Sequence, residues 1–355
     1  MRNQENPFCI PEIGPQDPSL GEPEELTSSG LISLLTLGEI VSQDNIRITA
    51  ELQLDIHDPS VIDTRWQLVT EEFEDLNNKS LLRQAPTEEE FLSDLDNKSV
   101  LKYTASDPES GELRGFLTVH TDLGDIIWAD QDKLREIQDS VAEGVPSFYV
   151  GTTVVSRGKR QSALSHKLLG TALNQYVELS KLQDGMSVCF FDRAEKGHKG
   201  LASLAQRILN GLSDEDIEFS VQEIETRRYV TYGDGDAPVD RVDLEGPIVI
   251  SEEGNKYRVT DPKAADIVYW FSHVSKDDKD YLMLSGVRLS NGCLDSSTKK
   301  IVDYMTHYAQ ASSSGLVLEV LGAGEIDFSH EQLDAQHFYA IFPHINRHAT
   351  EQSAS

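Results

Sequence analysis

The sequence predicts an α+β fold: a mixed sheet flanked by helices, followed by a second, smaller α+β half. Three observations carry this. Apolar runs with strand alternation interleave with amphipathic helical stretches in the order β-α-α-β-β-(α)-β-α-β-α-β. The strand–helix–strand unit at the centre needs a crossover, so its strands form a parallel or splayed pair. Finally, the junction Ser156-x-Gly158-x-x-x-Ser162 recurs as Ser290-x-Gly292-x-x-x-Ser296 in the same context. That is the mark of an internal repeat, with shared turn chemistry as the alternative.

Residues 1–43 are rich in Pro, Glu, Gly and Ser and are expected to form a disordered or loosely ordered lead. The first half is expected over 44–235. It opens with the alternating run at 45–56 (NIRITAELQLDI), then helical spacing over 60–77. Thr87 followed by Glu90 is a capping-box signature for the helix at 87–95. Strands at 100–106 and 114–123 are joined by DPESGE, a hairpin turn by composition. An acidic helical insertion at 131–141 precedes the strand at 147–156. The helix at 162–179 then places Leu164, Leu168, Ala172 and Tyr176 on one face. A strand at 186–191, a helix at 201–212 and a long strand at 218–232 complete the half. Beyond the linker at 233–246, a second half over 246–348 has strands at 280–290 and 315–321 around a helix at 296–311.

The chain of 355 residues carries 61 Asp and Glu against 31 Lys and Arg, a net charge of −30. Such a surface disfavours nucleic acid and anionic lipid and mildly favours a cationic partner. No apolar run is long enough for a membrane span, and the first residues do not resemble a signal peptide, so a cytoplasmic protein is expected. Cys9, Cys189 and Cys293 form neither a disulfide framework nor a metal spacing, and Cys189 is expected to be a packed thiol. His307, His330, His337, His344 and His348 cluster loosely without zinc spacing, so no metal is expected.

The chemistry centres on the loop between the strand at 147–156 and its helix. A helix N-terminus offers unpaired N–H groups and the positive end of its dipole, which suits phosphate. Gly158 lets the backbone approach an anion, and Arg157, Lys159 and Arg160 add three cations in an otherwise acidic chain. A pyrophosphate fits this combination; a basic turn that balances the acidic surface fits it as well.

The order GTTVVS, R-G-K-x-x-S-A, amphipathic helix and apolar strand resembles the acyl-CoA-binding core of the GNAT superfamily of N-acyltransferases, over about 45–232. Arg157 and Ser162 fall on the first and last positions of that family's Arg/Gln-x-x-Gly-x-Gly/Ala motif, while Arg160 stands where its first glycine is expected. The resemblance implies acetyl-CoA or another acyl-CoA as donor and an amine as acceptor. It implies that the strands centred on Val154 and Val188 splay, so that the backbone at Thr153, Val154, Val155 and Ser156 pairs with pantetheine. Arg157, Gly158, Lys159, Arg160, Gln161 and Ser162 would hold the pyrophosphate.

The chain departs from the family where a tyrosine acid usually stands, because residues 193–211 contain none. His198 is the substitute in that stretch, with Ser203 a weaker donor, while Tyr229 or Tyr232 could reach the site from the last strand. His120, Asp122 and Glu143 are the base candidates. In the second half, Asn291, Cys293 and Asp295 replace the cations, which implies a degenerate copy that packs or shapes the acceptor site.

The expected function is N-acyl transfer from acyl-CoA, acetyl-CoA first, to an amine such as a polyamine, an aminoglycoside or a lysine-bearing protein. A non-catalytic acyl-CoA-binding or interaction module is one alternative. A long-chain enzyme resembling N-acyl amino acid synthases is the other, with the insertion at 131–141 covering an acyl channel. The oligomeric state is left open.

Overall fold

In the computed structural model, the described residues run from 37 to 345 apart from 44–45, 55–57, 80–85, 127–130, 142–144, 157–160, 184, 195–199, 215, 233–248, 254–255, 262–263, 277–278, 313 and 323. The expected α+β class and the expected order of elements through β7 are observed. The first half comprises β1 (Gly38–Gln43), β2 (Ile46–Glu51), α1 (Pro59–Lys79), α2 (Glu88–Asp96), β3 (Val100–Ser106), β4 (Leu113–His120), a 3-10 turn (Leu123–Asp125), α3 (Gln131–Val141), β5 (Ser147–Val155), α4 (Gln161–Leu182), β6 (Val188–Ala194), α5 (Leu201–Leu212) and β7 (Ile217–Thr231). There follow β8 (Val249–Glu253), β9 (Lys256–Asp261), β10 (Ala264–Lys276), β11 (Lys279–Arg288), α6 (Ser296–Ala311), β12 (Gly315–Leu321) and β13 (Gln332–Ile345). Strand β1 lies within the stretch expected as an unstructured lead, while β8 to β10 and β13 are strands that local patterning did not predict.

The thirteen strands among the described residues form one sheet, in the order β1-β2-β3-β4-β5-β6-β13-β7-β12-β11-β10-β9-β8. Pairs β5–β6 and β11–β12 are parallel, as the crossovers through α4 and α6 require. At the centre the two halves interlock. Strand β13, the last in sequence, lies between β6 and β7 of the first half, and β7 pairs in turn with β12 of the second. Going inward from β6 one meets β13 then β7; going inward from β12, β7 then β13. Each half is completed by the same two strands in opposite order.

Helices α4 and α5 bury Leu164, Leu168, Leu173, Ala205 and Ile208 against one face of the sheet. On that same face, α6 packs Ile301, Val302 and Met305 against Val230, Leu282 and Leu318. The opposite face of the first half carries α1 and α2 over Phe116 and Val154, then α3 and the 3-10 turn over Tyr149 and Phe190. The Thr87 hydroxyl and Glu90 carboxylate close the expected capping box on α2. Cys189 is a packed thiol, 1% exposed, and its burial pushes its pKa up.

Candidate active site

The site begins where two parallel strands part. Strands β5 and β6 pair from Ser147 with Val188 to Val150 with Phe191, and no further. Beyond Val150, β5 stays paired to β4 through Thr153, Val154 and Val155, while β6 turns its other edge to β13. The backbone of 151–155 that faces β6 therefore lines a wedge between the strands, and Ser156 N–H is held on the β4 side by Arg114 O at 2.8 Å. The resemblance implied a splay centred on Val154 and Val188; the strands part instead beyond Val150 and Phe191, and Val188 pairs with Ser147.

A β-bulge sits at the apex of the wedge. Gly151 and Thr152 together oppose the single residue Thr118, whose hydroxyl accepts the Thr152 N–H at 2.9 Å. Glycine is required there: a Cβ on residue 151 would lie 2.7 Å from Thr118 Oγ1 and 2.9 Å from His120 Nε2.

His120 thus stands behind the apex. It is 1% exposed, with Asp94 Oδ2 at 3.6 Å from Nε2 and the Tyr149 ring edge-on at 6.4 Å. Burial, reinforced by the nearby Lys102 ammonium, depresses its pKa to about 4, so the imidazole is neutral at pH 7. Asp94, on α2, is pushed up to about 7 by burial, with Lys102 opposing and Asp125 and Glu90 adding to the rise. Lys102 is itself lowered to about 8 by burial, and its ammonium donates to Leu52 O at 2.7 Å and to Asn97 O at 2.5 Å.

A second polar group lies on the β6 side of the wedge. Asp192 directly follows Phe191, the last residue paired to β5. Its Oδ1 accepts the Tyr149 hydroxyl at 2.5 Å and its Oδ2 accepts the amide of Gln336, which β13 supplies. The row continues across the sheet. Tyr229 hydroxyl lies 3.3 Å from Gln336 Oε1 and 3.2 Å from Glu319 Oε1, and Glu319 Oε2 accepts the Gly286 N–H at 2.9 Å. Arg227 closes the row, with Nε 2.5 Å from Glu225 Oε1 and Nη1 3.6 Å from Glu319 Oε1.

Of the expected site residues, Val154, Val155 and Ser156 lie along the wedge, and Gln161 and Ser162 open α4. Arg157, Gly158, Lys159, Arg160 and His198 lie outside the described residues, as does Glu143. His120 backs the apex, and Tyr229 is buried and linked to it through Gln336 and Asp192. Tyr232 donates to Asp303 of α6 in the second half, Asp122 caps the 3-10 turn, and Ser203 is exposed on α5. Asp94, Asp192 and Gln336 were missed. A carboxylate directly after VCFF, facing a strand that ends GTTVV, was the available signal for Asp192.

The second half differs at each corresponding point. Strands β11 and β12 remain paired to their ends, Arg288 with Leu321, and no wedge forms. Its bulge, Ser285 and Gly286 opposite Glu319, is filled by the Glu319 carboxylate. At the start of α6, Asp295 itself accepts the N–H groups of Ser297 and Thr298 at 2.9 and 3.0 Å. Where an anion would bind, the chain supplies its own carboxylate.

Among the described residues, no group of three or more His, Cys, Asp or Glu side chains could hold a metal ion, and no helix is long and apolar enough to cross a membrane.

No family model matches the sequence, and no curated protein matches it. Among solved structures the chain is similar to a tandem GNAT protein from the clavulanic acid biosynthesis pathway, at 10% identity and a TM-score of 0.40, over 83% of this chain and 98% of that one. It is similar to a GCN5-related N-acetyltransferase from Sphaerobacter thermophilus at 11% identity and a TM-score of 0.41, over 84% and 96%. An aminoglycoside acetyltransferase from an uncultured soil metagenomic sample, in complex with sisomicin, matches at 15% identity and a TM-score of 0.28, over 48% and 89%.

Proposed function

We propose that the chain transfers an acyl group, acetyl first, from acyl-CoA to an amine. The observation that supports this most is the parting of β5 and β6 after Val150 and Phe191, beside a bulge and ahead of the cationic loop. An extended pantetheine arm can add to the open edge of β5 as a further strand would. Arg157, Lys159 and Arg160, with the first amides of α4, would take the pyrophosphate. The thioester carbonyl then comes to the apex, beside Gly151, Thr152 and Asp192.

In this reading the acyl-CoA unit is residues 44–235 completed by β13, and the second half is a copy whose ligand positions are taken by Glu319 and Asp295. The net charge of −30 supports a cationic acceptor. The test is to incubate the protein with acetyl- and longer-chain acyl-CoA species and a panel of amines, and to follow free thiol. Thiol release that depends on an amine supports the reading; CoA binding without release from any pairing overturns the enzymatic claim.

A further inference from the structure

Resting on the acyl-transfer reading, we propose that Asp192 takes the proton from the acceptor amine, and that Tyr149 and Gln336 are the residues that position its carboxylate. The second half thereby takes part in the chemistry of the first, because Gln336 belongs to the chain's last strand.

Gly151 and Asp192 are the first residues beyond the last β5–β6 pair, one on each side of the wedge, so both border its apex. His120 is behind β5 and 1% exposed, out of reach of a bound molecule. Asp192 is half-buried and lies on the edge itself.

Its orientation is fixed from both sides. The Tyr149 hydroxyl has one hydrogen, donated to Oδ1. Gln336 is oriented by its other end: Oε1 faces the Tyr229 hydroxyl, so the amide nitrogen is the end turned to Asp192. The single Tyr229 hydroxyl hydrogen is shared between Gln336 Oε1 and Glu319 Oε1, and Glu319 is the carboxylate that fills the bulge of the second half. A carboxylate has about four acceptor positions; Tyr149, Gln336 and its own backbone N–H take three, which leaves one for a substrate N–H.

The proton inventory closes. A substrate ammonium gives one proton to Asp192, which passes it to solvent, and the free amine attacks the thioester carbonyl carbon. The C–N bond forms, the C–S bond breaks, and sulfur leaves with the electron pair. A second proton leaves the new amide nitrogen and ends on the CoA sulfur. Burial raises the Asp192 carboxyl above its ordinary range, against the Tyr149 and Gln336 hydrogen bonds and the Arg227 charge, which lower it. Its own backbone N–H lowers it as well, and Tyr149, Gln336 and Arg227 face it from β5, β13 and β7. A carboxylate of raised pKa is a better base than an ordinary one.

The test uses the full chain with acetyl-CoA and three acceptors: spermidine, kanamycin and a lysine peptide. With Asp192→Asn, kcat/KM falls about 100-fold or more while CoA binding is unchanged. In Gln336→Glu, a second carboxylate beside Asp192 moves the acidic limb of the pH–rate profile up by about one pH unit. A purely structural glutamine would lower the rate without moving that limb. Transfer by Asp192→Asn at the wild-type rate, or a Gln336→Glu profile with an unmoved limb, overturns this inference while leaving the acyl-transfer reading intact. No transfer by the wild type to any acceptor overturns that reading, and this inference with it.

Discussion

Val150 and Phe191 form the last pair between β5 and β6, whereas in the second half Arg288 and Leu321 stay paired at the strand ends. The two halves share the strand–helix–strand unit built on α4 and α6 and differ at the point where a ligand could enter. The two halves also differ in where the strand bulges. Gly151 and Thr152 bulge towards β4 and leave the β6 side open, while Ser285 and Gly286 bulge towards β12 and are closed by Glu319.

The first prediction concerns Gly151. A methyl group there meets the Thr118 hydroxyl at 2.7 Å and the His120 ring at 2.9 Å, and both neighbours are buried. Gly151→Ala should cost roughly 1–3 kcal/mol in urea denaturation, the usual range for overpacking. It should also weaken acyl-CoA binding by distorting the apex. Wild-type stability would contradict the bulge geometry.

The second concerns pH. An unfolded-chain imidazole takes a proton near pH 6.5, whereas His120 resists protonation until about 4. In that window the unfolded chain binds more protons, so this histidine makes stability rise with pH and fall as the solution is acidified. The span corresponds to up to about 3 kcal/mol. Asp94, raised to about 7, acts in the opposite sense, because the folded chain holds its proton over roughly pH 4 to 7. Comparing wild type with His120→Gln isolates the histidine. The difference in unfolding free energy should move by up to about 3 kcal/mol in favour of the wild type between pH 4 and pH 7. A difference independent of pH would contradict it.

The third follows from the interlocked centre. Strand β13 joins β6 to β7, and Ala340 and Ile341 on it are fully buried. Ending the chain after residue 331 should abolish CoA binding even though every loop cation remains, and should leave open strand edges that aggregate. The intact chain should unfold in a single calorimetric transition, since neither half is complete without the shared ribbon. Two resolved transitions, or CoA binding by the shortened chain, would contradict this.

These results also show which features local sequence carries. The capping box at Thr87 and Glu90, the hairpin DPESGE and the amphipathic helix ending at Leu182 are set by residues a few positions apart, so patterning finds them. The β13 strand was missed because its partners lie more than 100 residues away, and its histidines, His337 and His344, stood out only as part of a loose cluster without zinc spacing. His337 instead bonds Glu223, and His344 bonds Ser220. Asp192 was missed for a related reason. Only the insertion of β13 brings Gln336 to it, and no spacing within the first half encodes that contact. The motif Ser-x-Gly-x-x-x-Ser was visible in both halves, but whether the strands part depends on bulges that register alone sets.

The central claim is that the wedge of the first half receives acyl-CoA and the closed second half does not. Hydrogen exchange on the full chain, with and without acetyl-CoA, measures this at the backbone groups concerned. Slower exchange is predicted at residues 151–156 and in the first turn of α4, with no change at 284–290. Unchanged exchange at 151–156, or equal protection at 284–290, would contradict it.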